Sequence, residues 1–189
     1  KVELQRGNKS VAEAALRQVI NKYSLLPNYK DIHAAKNDNT IESIFEVSFN
    51  PPNNTGLGLP ATFVQIAEAQ RLGIPAGAAG QNHIIYPTQS LINEFEAGDL
   101  RAASTFSIAV SDGKPYISKF LDLNASSQGH NVNLVLLRYA DVLLMLAESI
   151  GESSESYELI NQVRRRGFGF DPSVPNSSVD IGASTPGSF

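Results

Sequence analysis

The sequence predicts a mainly α fold with long loops and a few short strands, organised as a single domain over residues 1–189. Three observations predict it. Residues 136–150, "LLRYADVLLMLAESI", form a long apolar stretch, and a second periodic stretch follows at 154–166 after a turn at Gly151. Residues 50–87 hold five of the ten prolines and five of the fourteen glycines, which marks them as a loop excursion. At 42% hydrophobic and 18% charged, the chain of 189 residues has the balance of a folded protein with one sizeable core.

The elements follow in order. In residues 10–23, Val11, Ala15, Leu16, Val19, Ile20 and Tyr23 recur at helical spacing behind Ser10 as a cap, and Pro27 closes the segment. "TIESIFEVSFN" alternates with period two, placing Phe45, Val47 and Phe49 on one face and Ile44, Glu46 and Ser48 on the other, as in a half-buried strand. The excursion at 50–87 carries one helix over 60–71, and loops of this length inside compact domains are commonly functional. A short helix is expected over 88–97, burying Leu91 and Phe95, followed by two short strands within 105–120 around the turn "SDGKP".

The last ordered part is a helix pair over 133–167: a helix at 133–150 and a second at 154–166, stopped by Gly167. On the first, Arg138, Asp141, Glu148 and Ser149 share about one third of the circumference at about 100° per residue. The expectation is that Arg138 and Asp141 pair with each other or with neighbouring helices and hold the scaffold. Arg164, Arg165 and Arg166 fall in the last turn of the second helix, where cations suit the helix dipole. The tail after 170 shows no helical period.

Composition also excludes function classes. A net charge of −4 gives no basis for nucleic-acid binding. Without cysteine there are no disulfides, thiol nucleophiles or zinc-thiolate sites, and His33, His83 and His130 stand at no metal-binding spacing, so no metal is expected. His33 and His130 read as surface or hydrogen-bonded histidines. "GLGLPA" at 56–61 formally matches a dinucleotide loop, but Pro60 and the six residues after the strand end at Phe49 spoil the strand–turn–helix context, so no cofactor is expected. Glu94, Glu96 and Asp99 have the residue types of a glycosidase pair but read as a solvated helix end. No nucleophile-elbow motif occurs.

"NVNLVLLRYADVLLMLAESI" followed by "YELINQVRRRGFG" resembles the signature helix pair of the SusD/RagB family, the surface glycan-binding lipoproteins of Bacteroidetes. "LLPNYKDIH", "NTIESIFEVSF", "PTQSLINEFEAGDLR" and "PYISKF" resemble further family segments in the family's order. The resemblance implies a SusD-like fold of tetratricopeptide-like helix pairs, with loops that bind oligosaccharide. It implies a place at the outer-membrane surface beside a TonB-dependent, SusC-like transporter, with membrane attachment through a lipid anchor upstream of this chain. His33, "GDLR" in place of "DPR", and the absence of tryptophan depart from the pattern. A chain beginning "KVELQRGNKS" and ending in a non-periodic tail is expected to be truncated at both ends.

The functional expectation is a non-enzymatic protein that captures oligosaccharide or polysaccharide and passes it to the transporter. Sugars are held by aromatic faces together with amides and carboxylates. Phe63, Gln65, Gln81, Asn82, His83 and Tyr86 supply that inventory within the excursion. Two alternatives stand beside it: peptide uptake in the manner of RagB, and a glycoside hydrolase.

Overall fold

A computed structural model describes residues 1–35, 37–49, 56–75, 78 and 85–185. The elements are α1 (Val2–Gln5), α2 (Lys9–Arg17), β1 (Ser43–Val47), α3 (Ile66–Arg71), α4 (Gln89–Asn93), α5 (Leu100–Thr105), β2 (Phe106–Ile108), β3 (Pro115–Ile117), β4 (Leu134–Arg138), α6 (Tyr139–Ile150) and α7 (Ser154–Gly167). Short 3-10 turns lie at Tyr29–His33 and Leu59–Thr62. The fold is mainly helical with short strands, as the patterning predicts. No helix among the described residues is long and apolar enough to cross a membrane. The chain divides into two compact units, one of residues 1–28, 39–45 and 137–189 and the other of residues 29–38 and 46–136.

The first unit is built on α2, α6 and α7. Ala12 and Leu16 of α2 pack with Tyr139, Val142, Leu143 and Leu146 of α6 and with Leu159 and Val163 of α7 in one core. The helix expected over 10–23 is shorter. It tightens into a turn at its end, where the Val19 N–H donates to the Leu16 carbonyl at 2.9 Å. Asn21 then leaves the helix at φ 66, in the left-handed region that asparagine tolerates. Its N–H donates to the Tyr139 hydroxyl at 3.2 Å, so a tertiary bond replaces a helical one.

The helix expected over 133–150 begins only at Tyr139, because residues 134–138 are strand β4, paired with β1. An apolar Leu/Val run is ambiguous between the two states, and here the helix cap decides the boundary. Asp141 reaches back to accept the Arg138 N–H at 3.0 Å, and Arg138 itself is extended at φ −136. Arg138 is therefore the residue before the helix rather than part of its stripe.

Strand β1 keeps its period of two, and its aromatic side is the outward one. Phe45 is 58% exposed and Val47 40% exposed, while Ile44 packs on the core. The inward side carries Glu42, Ile44 and Glu46, and its acids are turned inward because they have partners. Glu42 accepts from Arg166 at 2.8 Å and Arg138 at 3.0 Å, and Glu46 accepts from the Asn133 amide at 2.7 Å.

Helix α7 starts on a reciprocal cap, with Ser153 Oγ accepting the Ser156 N–H at 3.1 Å and Ser156 Oγ accepting the Ser153 N–H at 2.9 Å. Gly167 is its last residue, and the left-handed turn falls at Gly169, φ 80. The arginine run does more than suit the dipole. Arg165 and Arg166 are buried; Arg165 binds Glu158 at 2.9 Å and Asp180 at 2.6 Å. Asn161 exchanges two hydrogen bonds with the Ile181 backbone, at 2.8 and 2.9 Å, so the non-periodic tail is fastened along α7.

In the second unit β2 and β3 form an antiparallel hairpin with Phe106 opposite Ile117, Ser107 opposite Tyr116 and Ile108 opposite Pro115. Its turn is closed by the Ala109 N–H on the Lys114 carbonyl at 2.8 Å, with Gly113 at φ 73. The core holds Val64, Ala69, Ile74, Ala109 and Tyr116. The helix expected over 60–71 breaks in two. The Phe63 N–H bonds back to Pro60 at 3.0 Å, and Gln65 is extended at ψ 150 before α3 begins.

Helix α4 is also shorter than expected, starting where Thr88 Oγ1 accepts the Leu91 N–H at 3.2 Å. Leu91 is 45% exposed instead of buried, whereas Phe95 stands edge-on to Phe106 at 5.5 Å. Asp99 is a buried cap of α5 that binds Arg101 at 2.6 Å, not one of a solvated trio. Within "GLGLPA", Gly56 meets a second strand of backbone: a Cβ there would strike the Gln128 carbonyl. That close approach accounts for the glycine.

Candidate ligand-binding cleft

A cleft of about 960 Å³ opens in the second unit. Among the described residues three segments line it: Gln65 and Ala67 at the start of α3, residues 86–89 leading into α4, and Ser111, Asp112, Lys114 and Pro115 of the hairpin turn. Gln65, half-buried at the helix start, donates its amide to Asp112 Oδ2 at 2.9 Å and so joins the first segment to the third. The Lys114 N–H donates to Asp112 Oδ1 at 3.1 Å, and its ammonium lies 3.5 Å from the same carboxylate.

Beneath this wall Glu68 is buried with no exposed surface. Its Oε2 accepts the N–H groups of Val110 and Ser111 at 3.0 and 3.2 Å, and Oε1 accepts Arg71 at 2.6 Å. One carboxylate thereby fixes the hairpin turn against α3. The Arg71 guanidinium, with help from the two backbone donors and against the cost of burial, holds the Glu68 carboxyl below the usual range.

Tyr86 stands at the rim, 61% exposed, with Gln89 beside it. The cleft thus presents an aromatic ring, two amides, a carboxylate and an ammonium. That set can stack on the C–H face of a ring and exchange hydrogen bonds with hydroxyls.

Of the residues singled out in the sequence, Gln65 and Tyr86 come together here. Phe63 does not line the cleft: it is 6% exposed and buried, so it pins its loop. Gln81, Asn82 and His83 lie outside the described residues. Sequence reasoning missed Gln89, Ser111, Asp112 and Lys114. "SDGKP" reads as an ordinary turn, and nothing local says that it faces Gln65.

His130 has no exposed surface, and Nδ1 accepts the Asp122 N–H at 2.9 Å while Nε2 donates to the Ala78 carbonyl at 3.0 Å. Both ring nitrogens serve the fold. Burial, outweighing these bonds and the nearby Asp122 carboxylate, lowers its pKa. No cluster of three or more metal-ligating side chains occurs among the described residues.

Fold and site together define a mainly helical scaffold carrying an open cleft with an aromatic rim and a few polar side chains. Residues 100–175 match the family model of the SusD family. A stretch of 51 residues is 43% identical to SusD-like protein P38 of Formosa agariphila, covering 25% of this chain and 10% of that protein. Among solved structures, surface glycan-binding protein A from Bacteroides uniformis superposes with a TM-score of 0.74 at 21% identity, over 89% of this chain and 39% of that one. Surface glycan-binding protein A from Bacteroides thetaiotaomicron, in complex with laminarihexaose, gives 0.68 at 20% identity, over 92% and 47%. Residues 100–175 are thus similar to the SusD family, and the chain shares the fold of these solved structures. It spans less than half the length of these solved relatives.

Proposed function

We propose that this chain forms part of a non-enzymatic surface protein that binds oligosaccharide in the cleft beside Tyr86. The observation that carries the reading is the exposed Tyr86 ring at the rim of a cleft whose hairpin-turn wall is braced by buried Glu68. Tyr86 is the stacking platform, while Gln65, Gln89 and Asp112 meet sugar hydroxyls. Gln81, Asn82 and His83, just before Tyr86 in the chain, are further contacts on grounds of proximity in sequence. Phe63 acts only as the anchor of its loop. The SusD-family match and the laminarihexaose complex of a structural relative support a glucan as ligand.

On the same reading the whole protein works at the outer-membrane surface and hands its ligand to a TonB-dependent, SusC-like transporter. The α6–α7 hairpin is its tetratricopeptide-like unit. The test is to titrate laminarihexaose into the labelled chain and follow its backbone amides. The reading requires perturbations concentrated at residues 65–67, 86–89 and 111–115. Perturbations elsewhere only, or sugar released from the oligosaccharide, would refute it.

A further inference from the structure

A second, smaller cavity of about 230 Å³ lies in the same unit. Its lining has a different chemistry from that of the cleft. On one side the His33 ring stands edge-on to Tyr29 at 6.2 Å and to Phe120 at 4.8 Å, forming an aromatic corner. Two ammonium groups, of Lys30 and Lys119, and two hydroxyls, of Ser104 and Ser118, complete the polar part of the lining. Among the described residues no carboxylate lines it.

Two features indicate a built site. Phe120 sits at φ 72, a left-handed conformation that a bulky side chain rarely adopts. The chain on either side holds it there, with the Ser118 N–H on the Thr105 carbonyl at 3.0 Å and the Leu121 N–H on the Ser118 carbonyl at 3.2 Å. The strained backbone directs this ring to the cavity. The Lys119 ammonium then lies over the same ring, 5.0 Å from its centroid, which restrains a flexible side chain near the cavity. Neither Lys30 nor Lys119 has an ion pair among the described residues. Two cations with no carboxylate partner among the described residues, beside an aromatic corner, favour a ligand with one anionic group and one apolar face.

We propose that this cavity is a second binding site, for a sugar ring bearing a carboxylate or a sulfate. The ammonium groups of Lys30 and Lys119 hold the anion, Phe120 and Tyr29 cover the C–H face, and Ser104 and Ser118 bond to hydroxyls. The site lies at the strand-end side of the β2–β3 hairpin, and the cleft lies at its turn, so one ligand ring does not fill both. That the ring is a sugar rests on the glycan reading of the cleft; the preference for an anion does not.

The experiment titrates the labelled chain with glucuronate, glucose 6-sulfate, glucose and inorganic sulfate at matched ionic strength. At least one sugar anion should perturb amides at 29–34, 103–104 and 118–121 and bind at least tenfold tighter than glucose. Binding of one anion alone identifies carboxylate or sulfate as the group read. The double variant Lys30→Gln/Lys119→Gln should lose about tenfold in affinity for it, equivalent to about 1.4 kcal/mol, while binding laminarihexaose as before. Glucose binding there as tightly as either anion, or inorganic sulfate matching the sugar anions, would overturn the proposal. So would unchanged affinity in the double variant. Loss of laminarihexaose binding by the unaltered chain would refute the reading of the cleft and leave this preference for anions standing.

Discussion

Arg166 and Glu42 form an ion pair with both side chains out of solvent, the guanidinium 2.8 Å from the carboxylate and the two side chains 1% and 0% exposed. Arg138 adds a second guanidinium at 3.0 Å, and the Leu26 N–H donates to the same carboxylate at 2.8 Å. Glu42 therefore ties three separate stretches of chain, 26, 138 and 166, inside one unit. Removing one partner of such a pair leaves a charge buried alone, which costs far more than the pair contributes on balance. Glu42→Gln should lower unfolding free energy by about 3–5 kcal/mol, read from the urea midpoint at unchanged slope. A loss under about 1 kcal/mol would show that Arg166 finds water or another partner.

Asp141 has a lesser part. It is 42% exposed, its contact with the Arg138 guanidinium is a long 3.8 Å, and its main bond is to the Arg138 N–H. Asp141→Ala should cost about 0.5–2 kcal/mol, the range for a lost helix cap. A loss as large as that of Glu42→Gln would place Asp141 within the buried network.

His130 makes stability depend on pH. Its folded pKa is depressed below the ordinary 6.5, so between the two values the unfolded chain binds the proton and the folded chain does not. Stability is then full above about pH 6.5, falls as pH drops through the lowered folded value, and levels off below it. Melting temperatures of the chain and of His130→Gln across pH 4.5–7.5 check this by order of magnitude. The variant should be less stable at neutral pH and lose the His130 share of the slope; equal slopes would contradict the assignment.

Glu68 supports the cleft without lining it. Glu68→Ala strands the Val110 and Ser111 N–H groups, at about 1–3 kcal/mol for each one left unsatisfied, and releases the turn that carries Asp112. Ligand affinity should fall along with stability. Because its folded pKa is lowered from 4.5, the stability contributed by Glu68 is present above that value and is lost as pH falls through the lowered one. A destabilised variant with intact affinity would separate the brace from the cleft.

The helix pair was legible in the sequence because its apolar spacing is local and sustained, and the hairpin because "SDGKP" is strong turn chemistry between short strands. What was not legible depends on partners distant in sequence. Residues 134–138 satisfy a helical pattern equally well, and only pairing with β1 and the Asp141 cap make them a strand. Phe45 and Val47 face outward in β1 because Glu42 and Glu46 have partners at 166, 138 and 133, and no local signal marks a buried carboxylate. Tyr86 and Gln65, singled out by residue type, both line the cleft. Asp112, Lys114 and Gln89 were missed because three segments meet in the cleft only after folding.

The central claim is that an oligosaccharide stacks on Tyr86, and calorimetric titration of laminarihexaose onto the chain and onto Tyr86→Ala tests it most directly. Tyr86 is 61% exposed, so the substitution should leave the melting temperature nearly unchanged. The account predicts measurable binding by the chain and a loss of about 1–3 kcal/mol in the variant. Equal affinities for the two, with both folded, would contradict it.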